Sequence, residues 1–370
     1  MPKKVIIAGG GTGGHIYPAI AIAQGLKMKF PDIKILFVGT EKGLENDLVP
    51  KAGFELKKIR AKGFKRKLSL ENLSTLKEVA LGGIESLVLL KREKPDLVVG
   101  TGGYVAGPIV FFASMLKIPT FIHEQNVKPG VTNRILSCFV DKVAVSFPDS
   151  AKYFPKSKVV VTGNPVRQEI VLTEKLKAIK ELGLDAEKPL VLSFGGSQGA
   201  LRLNEAVLEL IDLIKEDSTF QLFHITGKKN YDDFISKLEY KGINPLCLGH
   251  IKVRPYVYEM HYAIAAADLV VSRAGAITIA ELTAAGKPAI LVPLPTAAGQ
   301  HQDYNAGFMK KNGAAVIIKD RELSGKRLYE MIRSLISDKN RLIEMSAASK
   351  KLGRPDALDR ILREIVSLMD

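Results

Sequence analysis

Short runs of aliphatic and β-branched residues alternate along the chain with longer stretches whose apolar positions recur at helical spacing. The runs at 5–8, 35–38, 97–99, 120–123, 143–146 and 159–162 predict six strands in the first half. Those at 190–194, 222–225, 246–248, 269–272, 289–292 and 316–318 predict six more in the second. Many are near-continuous Val/Ile/Leu runs, as expected of parallel strands buried on both faces. Helical patterns at 18–29, 203–214 and 278–285 lie between them. The fold class that follows is α/β, with two Rossmann-like domains, each a doubly wound parallel sheet. A chain of 370 residues is also longer than one core usually serves. The segment 165–188 is charged, helix-like and without a strand. The expected domains are therefore 1–164 and 165–370. The final segment, 355–370, predicts a helix with apolar Leu358, Ile361, Leu362, Ile365 and Leu368. It is counted with the second domain, and packing back on the first is the alternative.

One uncharged stretch, 97–116, is long enough to span a bilayer. Gly100, Gly102, Gly103, Gly107 and Pro108 interrupt it, so a strand, a glycine turn and a helix starting near Pro108 explain it better. Contact of Phe111, Phe112 and Leu116 with lipid stays open. The apolar run in MPKKVIIAGGGTGGH is too short for a signal peptide or an anchor. Cys138 and Cys247 lie far apart in apolar contexts, SCFV and LCLG. That predicts buried, inert thiols and a reducing, cytoplasmic compartment.

Charge changes the picture more than composition does. The net charge is +15, and residues 1–164 hold 25 basic against 13 acidic residues. Nearly all the excess is therefore in the first half. Its densest stretch, 57–67, reads KKIRAKGFKRK, with seven basic residues and no acid. Such a one-sided field points to a polyanionic partner, anionic lipid or nucleic acid; a solvated face is the bland alternative. No helix-turn-helix, zinc-finger or RNP-type aromatic motif supports nucleic acid, and Trp is absent.

Four glycine-rich turns follow predicted strands: 9–15 (GGGTGGH), 100–104 (GTGGY), 195–200 (GGSQGA) and 274–278 (AGAIT). Each ends a strand and opens a helix, whose leading N–H groups and partial positive charge suit a phosphate or diphosphate. In open parallel sheets ligands lie at the carboxyl ends of the strands, so two facing domains would share one cleft. The first turn is similar to a dinucleotide fingerprint, but the acid that normally closes the second strand is missing, with Glu41 the only nearby candidate. There is no GxxxxGK[ST] P-loop. Glu281, one helical turn past the last glycine turn, is positioned to accept both hydroxyls of a ribose. That arrangement suits a nucleotide sugar, against the alternative of an ordinary helical surface glutamate.

Taken in order, GGGTGGH at 9–15, GTGGYVAGP at 100–108, HEQN at 123–126, GNPVR at 163–167, GGSQGA at 195–200, AGAITIAE at 274–281 and HQDYNA at 301–306 resemble glycosyltransferase family 28 of the glycosyltransferase B superfamily. Within it they resemble the N-acetylglucosaminyltransferases of bacterial peptidoglycan synthesis, over essentially the whole chain. The resemblance implies the two-domain glycosyltransferase B fold. It implies transfer of N-acetylglucosamine from UDP-N-acetylglucosamine to lipid I, the undecaprenyl-diphospho-muramyl-pentapeptide, with inversion, giving lipid II. It implies peripheral work at the cytoplasmic face of the membrane, with other cell-wall synthesis proteins as further partners, and no cofactor. For UDP-N-acetylglucosamine it implies Ser197, Val257, Ala276, Ile277, Thr278, Ile279, Ala280, Glu281 and Gln302, with Gln300 an ambiguous neighbour. Thr12, Gly13, Gly14, Asn126 and Arg167 are to reach the same ligand.

Inversion at the anomeric carbon asks for one base on the attacking hydroxyl and charge stabilisation on the leaving diphosphate. His15, at the end of the first glycine turn, is the first candidate base, and a positioning role is the alternative for it. His123 and Glu124 are alternates, and Glu124 has the further option of orienting its neighbours. The turn at Gly102, Gly103 and Tyr104 is assigned the acceptor diphosphate. Lys62, Lys65, Arg66 and Lys67 are assigned anionic headgroups, followed by Leu70, Leu73, Leu76 and Leu81, whose alternative is core. No DxD-like pair or His/Asp cluster has metal-ligand spacing, so no metal ligand is expected. The competing enzyme reading is another UDP-sugar transferase or epimerase of the same fold, which would need no lipid-facing surface.

Overall fold

The computed structural model describes residues 2–61, 71–196, 199–244 and 249–370, with the side chains of 71–77 and 79 left out of the description. The chain divides into two units, Met1–Pro165 with Asp356–Asp370, and Val166–Pro355.

In chain order the first unit runs β1 (Lys4–Gly9), α1 (Gly13–Lys29), β2 (Lys34–Gly39), α2 (Glu45–Lys51), β3 (Glu55–Lys58), α3 (Glu71–Glu93), β4 (Leu97–Gly102), α4 (Ala106–Met115), β5 (Thr120–Glu124), α5 (Val131–Leu136), β6 (Lys142–Val145) and β7 (Val159–Val161). The second runs α6 (Gln168–Leu172), α7 (Lys175–Leu182), β8 (Leu190–Phe194), α8 (Leu201–Ile214), β9 (Gln221–Ile225), α9 (Tyr231–Tyr240), β10 (Ile251–Arg254), α10 (Met260–Ala266), β11 (Leu269–Ser272), α11 (Ala276–Ala284), β12 (Ala289–Leu291), α12 (His301–Lys311), β13 (Ala315–Ile317), α13 (Gly325–Ser337) and α14 (Lys339–Leu352). The last helix, α15 (Ala357–Met369), belongs to the first unit.

Both sheets are parallel. Their strand orders are β3-β2-β1-β4-β5-β6-β7 and β10-β9-β8-β11-β12-β13. In each the order reverses between two central strands, β1 and β4 in one, β8 and β11 in the other. Those four strands are the ones followed by the four glycine turns, so each unit brings two of them to its switch point, where open parallel sheets leave a crevice.

The central strands bury nearly every side chain, which is why their apolar runs are unbroken. In the first unit one face of the sheet is covered by α3, α4 and the 136–154 segment, and the other by α1 and α15. Ile361, Leu362 and Ile365 are buried there with Ile16, Ala19, Ile22 and Leu26. Lys142 pairs with Glu364, and Lys3 Nζ donates to the Met369 carbonyl at 2.9 Å.

Several expectations are corrected. The edge strand β3 was not expected, because ELKK carries a single apolar residue and edge strands are commonly guarded by charge. Its partner register, Leu36 to Glu55 through Gly39 to Lys58, carries its last two residues into the basic stretch. There Lys57 lies 2.8 Å from Glu93 and Arg60 lies 3.3 Å from Glu85, both acids on α3. Lys57 above all, then Lys4 and Arg92, pull the Glu93 pKa down to about 2. The upstream end of the basic run is thus neutralised inside the unit. The expected strand at 246–248 lies outside the described residues, and the strand β10, which was not expected, starts at Ile251 as an edge of the second sheet. Helix α4 starts at Ala106, two residues ahead of Pro108. Cys138 is exposed, not buried: Leu136 and Val140 turn inward while Cys138 and Phe139 between them face out. Cys247, Lys62, Lys65, Arg66, Lys67 and Leu70 lie outside the described residues, as do the side chains of Leu73 and Leu76. Among the described residues no helix is long and apolar enough to cross a membrane.

Ile361→Ala should destabilise the first unit by about 2–5 kcal/mol, the usual cost of emptying a buried aliphatic site. Amide exchange should speed up along β1 and α1 and stay unchanged along β8 and β11.

Candidate functional site

In the second unit the chain leaves β11 through Arg273, Ala274 and Gly275 into α11. The first backbone bond of α11 runs from Ile279 N–H to the Gly275 carbonyl at 2.9 Å, so the leading amides of Ile277 and Thr278 precede the helical ladder. Ile279 itself is in the core.

Two residues one turn apart on α12 hold the Ala274 position from both sides. Gln302 Oε1 accepts from Ala274 N–H at 3.1 Å and from Leu294 N–H at 2.9 Å, and Asn305 Nδ2 donates to the Ala274 carbonyl at 3.2 Å. Buried Arg273 adds a strut, with Nη1 donating to the Val292 carbonyl at 3.2 Å and to Asp320. Gln300 is exposed, with φ of 58°, at the entry to α12.

Glu281 sits on α11, its side chain largely covered. Arg167, which precedes α6, donates to its Oε1 from Nη2 at 2.9 Å and from Nε at 3.2 Å. Among the described residues no donor reaches Oε2. Burial pushes the Glu281 pKa up, against the opposing pull of the Arg167 guanidinium. The tertiary structure therefore joins two residues 114 positions apart in sequence.

Val257 is half-buried in the loop after β10, between Tyr256 and Tyr258, whose rings are 4.9 Å apart. The Lys228 ammonium lies 5.0 and 5.2 Å from the two ring centres and donates to the Tyr258 hydroxyl at 3.0 Å. In the turn after β8, Ser197 lies outside the described residues. Asn204 and Asn230 both donate to the Thr226 carbonyl beside that turn, at 3.0 and 3.2 Å.

In the first unit, His15 stands in the first turn of α1. Its Nδ1 is 3.1 Å from the Gly10 carbonyl and 3.4 Å from Thr12 Oγ1. A carbonyl oxygen only accepts, so Nδ1 carries the proton and the neutral ring keeps its lone pair on Nε2. The turn after β4 wraps against this group. Gly102 has φ of 107°, and a Cβ there would stand 2.9 Å from His15 Cδ2; Gly103 has φ of 83°, and a Cβ there would stand 2.5 Å from the Gly10 oxygen. Only glycine fits both positions. Tyr104 follows, exposed. Gly13 and Gly14 form the first residues of α1, after the extended residue Thr12.

His123 and Glu124 are buried at the end of β5. His123 Nε2 faces the Gly163 carbonyl at 3.0 Å, and Gln125 Nε2 lies 3.1 Å from its Nδ1. Burial pushes the His123 pKa down, against the effects of the Gly163 carbonyl and Glu124. Glu124 accepts from Asn126 N–H at 2.9 Å and Asn126 Nδ2 at 3.2 Å on one oxygen, and from Gly130 N–H at 3.1 Å and Asn133 Nδ2 at 2.8 Å on the other. Both of these candidate bases are occupied, His123 with the Gly163 carbonyl and Glu124 with its own loop.

Sequence reasoning passed over Glu45, Gln125, Asn133, Arg273 and Asn305. Asn305 had a readable signal, since it stands three residues after Gln302 on one helix face. Glu45, in the first turn of α2, had none, and Glu41 drew the attention instead. Among the described residues no group of three or more His, Cys, Asp or Glu is arranged to hold a metal ion.

The profile described as the glycosyltransferase family 28 N-terminal domain matches residues 5–145, and that of the family 28 C-terminal domain matches 190–361. A relative from Acetivibrio thermocellus is 50% identical over 368 residues, covering 99% of this chain and 98% of its own; one from Desulforamulus reducens is 47% identical, covering 99% of both. Each is named UDP-N-acetylglucosamine–N-acetylmuramyl-(pentapeptide) pyrophosphoryl-undecaprenol N-acetylglucosamine transferase. Among solved structures, Acinetobacter baumannii MurG has a TM-score of 0.81 at 30% identity, covering 99% of this chain and all of its own. A UDP-GlcNAc 2-epimerase from Neisseria meningitidis has a TM-score of 0.65 at 15% identity, covering 99% and 100%, a likeness of fold alone.

Gln302→Leu should orphan the Ala274 and Leu294 amides together and cost the second unit about 2–4 kcal/mol, read by urea unfolding, where a merely exposed glutamine would cost nothing measurable.

Proposed function

The chain belongs to glycosyltransferase family 28, and from that premise we propose that it transfers N-acetylglucosamine from UDP-N-acetylglucosamine to the C4 hydroxyl of a muramyl-pentapeptide carried on undecaprenyl diphosphate. The observation that carries this reading is the 50% identity, along the whole chain, to a relative whose name states that reaction.

The second unit is the donor site in this reading. The leading amides of α11 meet the diphosphate, held ready by Gln302 and Asn305. Glu281 Oε2 accepts from the ribose hydroxyls while Arg167 neutralises Oε1. The loop at Val257 takes the uracil, with the turn at Ser197 beside the diphosphate. The Gln302 amide nitrogen is available to the sugar, because its oxygen is spent on the backbone.

The first unit is the acceptor site. The turn at Gly102, Gly103 and Tyr104 meets the acceptor diphosphate, and Thr12, Gly13, Gly14 and Asn126 are assigned to the donor. In the transfer the acceptor oxygen forms its bond to the anomeric carbon as the bond to the diphosphate oxygen breaks. UDP leaves with the electron pair, and the hydroxyl proton passes to His15 Nε2. His15 is preferred to His123 and Glu124 because those two are buried and committed to loop contacts.

Peripheral attachment to the cytoplasmic face of the membrane follows in the same reading. Ile84 and Val88 on α3, Met115 on α4, and Val131, Ile135 and Phe139 on and after α5 are exposed, with Lys117 and Arg134 among them. The stretch Lys62, Lys65, Arg66 and Lys67 supplies further charge, each cation near an anionic surface contributing about 1 kcal/mol at low salt.

Incubation with UDP-N-acetylglucosamine and a short-chain lipid I should release UDP only when the acceptor is present. Release without it, or epimerised sugar, would sink the reading. His15→Ala should lower kcat by about 10²–10⁴ while the Kd for UDP-N-acetylglucosamine stays nearly constant; unchanged turnover removes His15 from the chemistry. Neutralising Lys62, Lys65, Arg66 and Lys67 together should weaken binding to phosphatidylglycerol vesicles, with a smaller salt dependence than the unaltered protein. Full retention rejects that stretch as the contact.

A further inference from the structure

We propose that Glu45 is a positioning residue for His15, acting through the single peptide group that joins Gly10 to Gly11. The N–H of that peptide, on Gly11, donates to Glu45 Oε2 at 3.0 Å. Its carbonyl, on Gly10, faces His15 Nδ1 at 3.1 Å. One planar amide therefore has a carboxylate on one side and an imidazole on the other. Pulling on the N–H of an amide makes its oxygen a stronger acceptor, and hydrogen bonds in series polarise one another. The effect on His15 is that of the carboxylate in a Ser-His-Asp triad, which fixes the tautomer and stabilises the imidazolium, with a peptide inserted between the two groups.

The carboxylate is built to stay charged. Glu45 is completely buried, yet it accepts from Gly11 N–H, from Thr40 N–H at 3.0 Å and from Thr40 Oγ1 at 2.8 Å. Burial pushes its pKa up, but the donors of Gly11, Thr40 and its own amide outweigh burial, and the net displacement is downward. Among the described residues it has no cationic partner, so its charge acts on two backbone amides and one hydroxyl. The peptide is also gripped sterically, since Gly103 leaves no room for a Cβ against the Gly10 oxygen. The titratable side chains at the same end of the surrounding elements are Tyr17 on α1, Tyr104 after β4, Glu41 and Lys42 ahead of α2, and Asp47 on α2, which pairs with Lys51 at 2.8 Å, while Lys4 on β1, Lys27 and Lys29 on α1 and Lys34 on β2 stand at the far ends of their elements.

The inference rests on the reading of His15 as the base, and the test separates the two. Full-length protein carrying Glu45→Gln is compared with the unaltered chain. Removing the negative charge disfavours the imidazolium, so the His15 titration followed by NMR, and the acid limb of the kcat profile, should both move down by about one pH unit. Turnover should fall about tenfold while KM for UDP-N-acetylglucosamine stays within about twofold. An unmoved His15 titration overturns the proposal, whatever happens to kcat. Thr40→Val, which removes the hydroxyl donor and leaves the carboxylate on Gly11, should lower the melting temperature without moving that titration. Should Glu45→Gln fail to fold, the unaltered protein still decides: the Gly11 amide proton should shift in step with the His15 titration, and a flat Gly11 signal overturns the proposal. If His15→Ala keeps its turnover while Glu45→Gln moves the His15 titration, the coupling stands and the base reading falls.

Discussion

A backbone N–H or C=O that leaves a parallel sheet loses its ladder partner and must find another, because an unpaired buried amide costs as much as a lost hydrogen bond. The turns beyond the central strands are shaped by that requirement. Glu45 takes the amides of Gly11 and Thr40, Glu124 those of Asn126 and Gly130, and Gln302 those of Ala274 and Leu294. Gln125 and Asn305 supply the complementary donors, to the carbonyls of Thr101 and Ala274. The turns after β1, β4 and β11 are each tied in this way to a side chain from another segment. A rim fixed in advance does not have to reorganise when charge develops against it.

The same requirement sorts the acids. Glu45 and Glu124 are spent on backbone N–H groups, whereas Glu281 meets a guanidinium with one oxygen only. That difference in partner, and not any difference in residue type, separates the two carboxylates that hold loops from the one proposed for a ribose. It also limits what net charge can say. Part of the positive run at 57–67 is answered by Glu85 and Glu93 on α3, so the field at that stretch is smaller than its own seven charges suggest.

The six-plus-six rhythm of apolar runs made the α/β class and the parallel sheets readable, because strands buried on both faces must be apolar throughout. Of the four edge strands, the apolar β7 and β13 were readable and the charged β3 and β10 were not. ELKK has three charged residues in four and IKVR two, and only pairing with β2 and β9 makes them strands. Cys138 shows the limit of local context in the other direction, since its apolar neighbours bury themselves and leave it outside.

By itself the amino-acid sequence determined the four glycine turns, the helices that follow them, and the family through seven ordered motifs, because those depend on residues adjacent along the chain. Only the tertiary structure decided that all four turns belong to the strands flanking the two switch points, since strand order is a long-range property. Only it brought Arg167 to Glu281 and Glu45 to the amide behind His15, contacts spanning 114 and 34 positions that no local pattern encodes.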